Sequence, residues 1–121
     1  MPETQLDKKF QKEINGGITG LVLLGVMQQE NQPMYGYQIA KRLDAGKDEK
    51  SLFKQGALYP VLRSLEKSGL LSSELVASNS GPARKYYAIT SRGQETLAGW
   101  IIIWDETKTF VDLILKGIKN E

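Results

Sequence analysis

Three observations predict a mostly helical α+β fold. Apolar residues near the start of the chain recur at helical spacing. Two short apolar-faced stretches then precede a pair of strand-like runs around a dense turn cluster. Residues 91–118 carry a seam of mostly apolar residues spaced three and four apart. With 121 residues, the chain is the length of one domain and can bury a real core without covalent staples.

The first element is expected from about Glu3 to Gln29. Leu6, Phe10, Ile14, Ile18, Leu21 and Leu24 form the stripe of an amphipathic helix. Gly16, Gly17, Gly20 and Gly25 each cost roughly 1 kcal/mol relative to Ala inside a helix. Packing must therefore hold this helix. Its small residues allow close approach of a neighbouring helix, and Gly16–Gly17 is a candidate break. A second, short helix is expected from about Met34 to Ala45, stopped by Gly46, with a charged connector over 44–50. The third spans Lys54–Ser68, with Leu58, Val61, Leu62 and Leu65 on one face and Gly69 at its end. Pro60 is tolerated in a first turn, which puts the start of this helix near Gly56.

Residues 70–76 and 84–89 read as two strands of a hairpin, joined by the turn cluster Ser78-Asn79-Ser80-Gly81-Pro82. Gly81 is expected to allow a turn or a close backbone approach. The last helix opens on Thr90-Ser91, where Ser91 and Gln94 fit a capping box. Leu97, Trp100, Trp104, Thr107, Val111, Ile114 and Ile118 then form a near-heptad seam on a helix about 42 Å long. Helix, short helix, short helix, hairpin, long helix is the order of a winged helix-turn-helix with a C-terminal dimerisation helix. Residues 1–90 are expected to form the DNA-binding unit, with the first helix also at the dimer interface, and 91–121 the dimerisation helix.

Composition narrows the chemistry. Cysteine and histidine are both absent, which excludes disulfides, thiol chemistry, Cys/His zinc sites and histidine relays. No motif assembles a catalytic site, a metal site or a cofactor site, so no enzyme activity is expected. The longest apolar run, Ile18–Met27, is ten residues long and interrupted, half of what a membrane span needs. A cytoplasmic protein is the expectation. The net charge of +2 hides a partition. Residues 35–92 hold ten Lys/Arg against five Asp/Glu, whereas both flanks are slightly acidic. A basic centre attracts polyanions.

The motifs Met34-Tyr35-Gly36-Tyr37-Gln38-Ile39 and Gly56-Ala57-Leu58-Tyr59-Pro60-Val61-Leu62 resemble the PadR family of bacterial transcriptional regulators. Leu65 to Leu71, Gly81 to Tyr87 and Ile89 to Gly93 extend the match in the family's order and spacing. The single long C-terminal helix is similar to the family's short subclass, which includes multidrug-responsive repressors. The resemblance implies a homodimeric repressor on a near-palindromic double-stranded operator, often released by a small molecule.

On the third helix, Lys54, Gln55, Ala57, Tyr59, Pro60, Arg63, Ser64 and Lys67 are the candidate DNA contacts. Gln can pair with adenine and Arg with guanine in the major groove. In the wing, Arg84 and Lys85 are candidates. Adjacent strand residues point to opposite faces, so a single contact is assigned, to Arg84 in preference. Tyr35 is expected to face outward towards a phosphate and Tyr37 inward. Tyr86 and Tyr87 are expected to pack within the sheet. Trp100 and Trp104 suit dimer packing, and also a slot for a planar hydrophobic effector lined by Ile101 with Phe10 or Ile14. The alternative is a winged-helix adaptor that binds protein and no DNA. It would favour an acidic or apolar outer face on the third helix, and Arg63 and Lys67 lean the other way.

Overall fold

Leucines set the architecture. In the computed structural model, which describes residues 4–43 and 55–119, Leu23, Leu24, Ile39, Leu58 and Leu62 are all buried to within 1% of full exclusion. The elements are α1 (Gln5–Glu30), β1 (Met34–Tyr35), α2 (Gly36–Leu43), α3 (Gln55–Lys67), β2 (Leu71–Ser78), β3 (Gly81–Ile89) and α4 (Ser91–Lys119). Helices dominate and the strands form one small antiparallel sheet, the mostly helical α+β winged helix that the sequence predicts.

α1 is continuous through Gly16–Gly17. Its N-terminus is closed by a capping box, in which the Thr4 side chain accepts from the Asp7 amide and the Asp7 carboxylate accepts from the Thr4 amide. Asn31 ends it in the left-handed conformation, φ 54°. Close approach is realised at Gly20, where a Cβ would sit 3.5 Å from the Trp100 ring, and not at Gly16, Gly17 or Gly25.

The sheet has three strands in the order β1-β3-β2, one more than the expected hairpin. Met34 and Tyr35, expected at the start of the second helix, pair instead with Tyr87 and Tyr86. The Tyr35 amide donates to the Gln38 side chain, which starts α2 at Gly36. The expected end of that helix, Gly46 and the charged connector lie outside the described residues. The wing turn contracts to Asn79-Ser80, with Ser78 opposite Gly81 and a register shift between Val76 and Ser78. Gly81 is thus a strand residue with open space around it, not a turn residue. Pro82 is tolerated because β1 covers β3 only at Tyr86–Tyr87, leaving that edge free near Pro82.

α3 starts at Gln55, so Pro60 lies inside the helix and not in its first turn. Its missing N–H leaves a carbonyl one turn back without a donor, a cost tolerated at this exposed position near the helix start. Gly69, φ 83°, closes α3 as expected. Its amide donates to the Glu66 carbonyl and the Leu70 amide to that of Leu65, the paired bonds of a Schellman cap.

The cap of α4 is Thr90, one residue before the expected Ser91. Its hydroxyl accepts from the Gly93 amide at 2.9 Å and donates to the Gly69 carbonyl at 2.7 Å. This one side chain ties the end of α3 to the start of α4. Gly93 is buried there, and a Cβ on it would come 2.2 Å from the Leu70 carbonyl oxygen, a backbone atom. Leu97 adds to the core, so the first turns of α4 belong to the same packing unit as the three-helix centre. Gly93→Ala is expected to destabilise the fold by about 1–3 kcal/mol through overpacking, read as a lowered urea midpoint.

Candidate nucleic-acid interface

The site is built outward from α3. Leu58, Leu62 and Leu65 are buried against α1, α2 and β2, so the helical period turns Arg63 and Lys67 to solvent. Ala57, Pro60 and Ser64 are also exposed. Gln55 opens the helix but its side chain, and all of Lys54, lie outside the described residues. The outer face of α3 is therefore basic, neither acidic nor apolar.

Tyr59 leans towards α2. A Cβ on Gly36 would come 2.5 Å from the Tyr59 ring and 2.6 Å from its hydroxyl oxygen. The bare backbone of Gly36 is the seat of the Tyr59 ring, and this contact sets the approach of α2 to α3. Sequence reasoning passed over Gly36 as a packing determinant because nothing local requires a glycine there.

The tyrosines of α2 are arranged opposite to expectation. Tyr37 is 56% exposed and Tyr35 is half-buried. Gly36, Ile39 and Ala40 occupy the inner face of α2, leaving Tyr37 on the outer side, while β1 pairing lays Tyr35 over Tyr86, centroids 5.3 Å apart and edge-on. Tyr37 stacks beside Tyr35 at 6.4 Å. The Arg84 guanidinium lies 4.5 Å from the Tyr35 centroid, and the Lys41 ammonium 6.0 Å from that of Tyr37. A ladder of cations and aromatic rings thus runs from the wing to α2. Tyr87 is buried in the sheet, as expected.

Arg84 and Lys85 do take opposite faces of β3. Lys85 turns towards α3, where its ammonium meets the Glu66 carboxylate at 3.3 Å. Arg42 is also engaged, by Glu30 at 2.9 Å. The basic residues described in this region are all exposed, and Lys41, Arg63, Lys67, Arg84 and Arg92 are the ones outside the two ion pairs just given.

On the far flank of α3, an open groove of about 670 Å³ runs between α1, α3 and α4. Gly16, Gly17, Pro60, Ser64, Trp100 and Trp104 are among its walls. Trp100 packs on Gly20 of its own chain and is half-buried, whereas Trp104 is 40% exposed. Phe10, Ile14 and Ile101 do not border this groove. All three are exposed, as are Leu6, Val111, Ile114 and Ile118.

A helical pair with a basic outer helix and a three-stranded wing defines a winged-helix DNA-binding regulator. Residues 23–99 match the transcriptional regulator PadR-like family. The chain belongs to this family, whose members are transcriptional regulators and not enzymes. It is similar to a PadR-like transcriptional regulator of Bacillus cereus, 30% identical, covering 86% of this chain and 97% of that one, with a TM-score of 0.70. A PadR family regulator of Eggerthella lenta is 29% identical over 92% of this chain and 93% of its own, with a TM-score of 0.74. An uncharacterized protein of Lysinibacillus sphaericus is 28% identical over 106 residues, 88% of this chain and 94% of the relative. Among the described residues no helix is long and apolar enough to cross a membrane.

Gly36→Ala is expected to displace Tyr59 and to cost about 1–3 kcal/mol. In a Tyr59→Ala background the same change should be neutral or stabilising by up to roughly 1 kcal/mol, since Gly36 has no special backbone conformation to protect. Chemical denaturation of the four variants of this cycle reads the coupling.

Proposed function

We propose that the chain is a cytoplasmic homodimeric repressor that binds a near-palindromic operator and is released by a planar hydrophobic effector. The observation that carries the DNA-reading part is the solvent-facing Arg63 and Lys67 on α3, with Arg84 exposed on the wing. α3 enters the major groove, Arg63 reads a base edge, and Lys67 meets the backbone. Arg84, braced on Tyr35, supplies the wing contact. Gln55 and Ala57 sit at the leading end of the helix.

The dimer reading rests on unpartnered apolar surface. Leu6, Phe10 and Ile14 of α1 and Trp104, Val111, Ile114 and Ile118 of α4 are exposed, an arrangement a water-facing helix does not favour. In this reading residues 1–90 carry DNA binding and 91–121 pair through a two-fold interface. The two α3 helices then meet successive major grooves about 34 Å apart. The effector reading rests on the Trp104 ring at the groove between α1, α3 and α4, to which the dimer adds Phe10, Ile14 or Ile101 from the apposed surface.

Titration with duplex DNA from the promoter of its own gene, at several salt concentrations, tests the reading. Affinity should fall steeply as salt rises, and a flat response would remove phosphate-driven binding. Arg63→Ala should cost about 1–3 kcal/mol and relax preference at one base pair. Planar hydrophobic compounds should quench the tryptophan fluorescence of the dimer, and Trp104→Ala should abolish the response. Full retention of quenching in that variant would place the slot elsewhere.

A further inference from the structure

Beyond the shared apolar core, one carboxylate links the wing to α3. Glu66 lies in the last turn of α3, and both its oxygens are engaged by the sheet. The Ser73 hydroxyl of β2 donates to Oε2 at 2.5 Å, and the Lys85 ammonium of β3 pairs with Oε1 at 3.3 Å. Ser73 is opposite Tyr87 and Leu75 opposite Lys85, so these residues share the sheet face turned to α3. The Lys85 ammonium also lies 5.4 Å from the Tyr87 centroid. The Ser73 hydrogen bond, and then Lys85, hold the Glu66 carboxyl below its usual range, and Glu66 holds Lys85 above its own.

Arg84, one residue earlier, sits on the opposite face over Tyr35. The pair Arg84-Lys85 thus divides its labour. From this geometry we infer that Lys85 is a positioning residue: Glu66 withholds its charge from the DNA phosphates and uses it, with Ser73, to clamp the wing to α3. Glu66 is then a second determinant of affinity that never touches DNA. It fixes where the wing stands and lowers the basic charge the wing presents to any duplex, whatever its sequence. This rests on the DNA-binding reading above and deepens it.

The test measures affinity for a random-sequence duplex about 30 base pairs long as salt is varied, because the slope counts phosphate contacts. Lys85→Met keeps the apolar stem against Tyr87 and removes the charge. It should leave the slope at the wild-type value and weaken binding by the same few-fold factor at every salt concentration. Arg84→Ala should flatten the slope by about 0.9 per wing. Glu66→Gln keeps an oxygen for Ser73 and frees the ammonium, so the slope should steepen, and adding Lys85→Met should return it to wild type. If Lys85→Met flattens the slope as much as Arg84→Ala, Lys85 is a phosphate contact and the inference is overturned. An unchanged slope in Glu66→Gln overturns the withholding role. Failure of the wild-type protein to bind any duplex at low salt would instead sink the DNA-binding reading itself, before any variant is compared.

Discussion

Burial of Leu58, Leu62 and Leu65 is the constraint on which the rest depends. A helix can hide only one stripe, and these leucines spend it on α1, Ile39 of α2 and Leu71 of β2. The other described side chains of α3 then have their directions assigned. Arg63 and Lys67 go to solvent, Tyr59 leans on Gly36, Glu66 reaches the wing, and Pro60 and Ser64 border the groove below α4.

Charge has to be followed pair by pair. The sequence marks residues 35–92 as basic, but part of that charge is committed within the fold. Arg42 is held by Glu30 and by the Gln29 side chain, and Lys85 by Glu66. Exposed pairs of this kind add little to stability. Their effect is on direction: a paired ammonium is not aimed at a phosphate. The unpaired basic surface is narrower than the count suggests: Arg63 and Lys67 on α3, Arg92 at the start of α4, and the Arg84–Tyr35–Tyr37–Lys41 ladder.

Legibility tracked the range of the interactions. Apolar periodicity found α1, α3 and α4 and the inner leucines, since a helix stripe is written in local spacing. Alternation and turn residues found the wing. What was missed depends on contacts distant in sequence. β1 is only two residues long and exists because Tyr86 and Tyr87 pair with it, some fifty positions away. That pairing also reversed the expected roles of Tyr35 and Tyr37. Thr90 outcompeted Ser91 as a cap because its hydroxyl can also reach the Gly69 carbonyl, which no capping rule encodes. The Glu66 clamp and the Gly36 seat have no local signature at all. For the candidate site, the solvent exposure of Arg63 and Lys67 and the opposite facing of Arg84 and Lys85 were legible from helical period and strand alternation, whereas the partner that Lys85 meets on α3 needed the tertiary fold.

α4 carries the argument about assembly furthest. At 100° per residue, the exposed apolar residues Ile101, Ile102, Ile103, Trp104, Phe110, Val111, Leu113, Ile114 and Ile118 spread over well more than half the helix circumference. A two-stranded seam needs a narrower stripe than that. In the proposed dimer, a face this wide leaves room for a second element beside an apposed α4, and the chain offers one of matching chemistry in Leu6, Phe10 and Ile14 along the exposed start of α1. The two tryptophans are divided by the same geometry: Trp100 is spent on Gly20 within the protomer, and Trp104 is left at the open edge. The groove it borders is also walled by Pro60 and Ser64 of α3. Whatever fills that groove touches α3, which is proposed to read DNA, and α4, which is proposed to pair the protomers, at once. A chain without cysteine or histidine would then have a route from occupancy to DNA affinity that needs only packing.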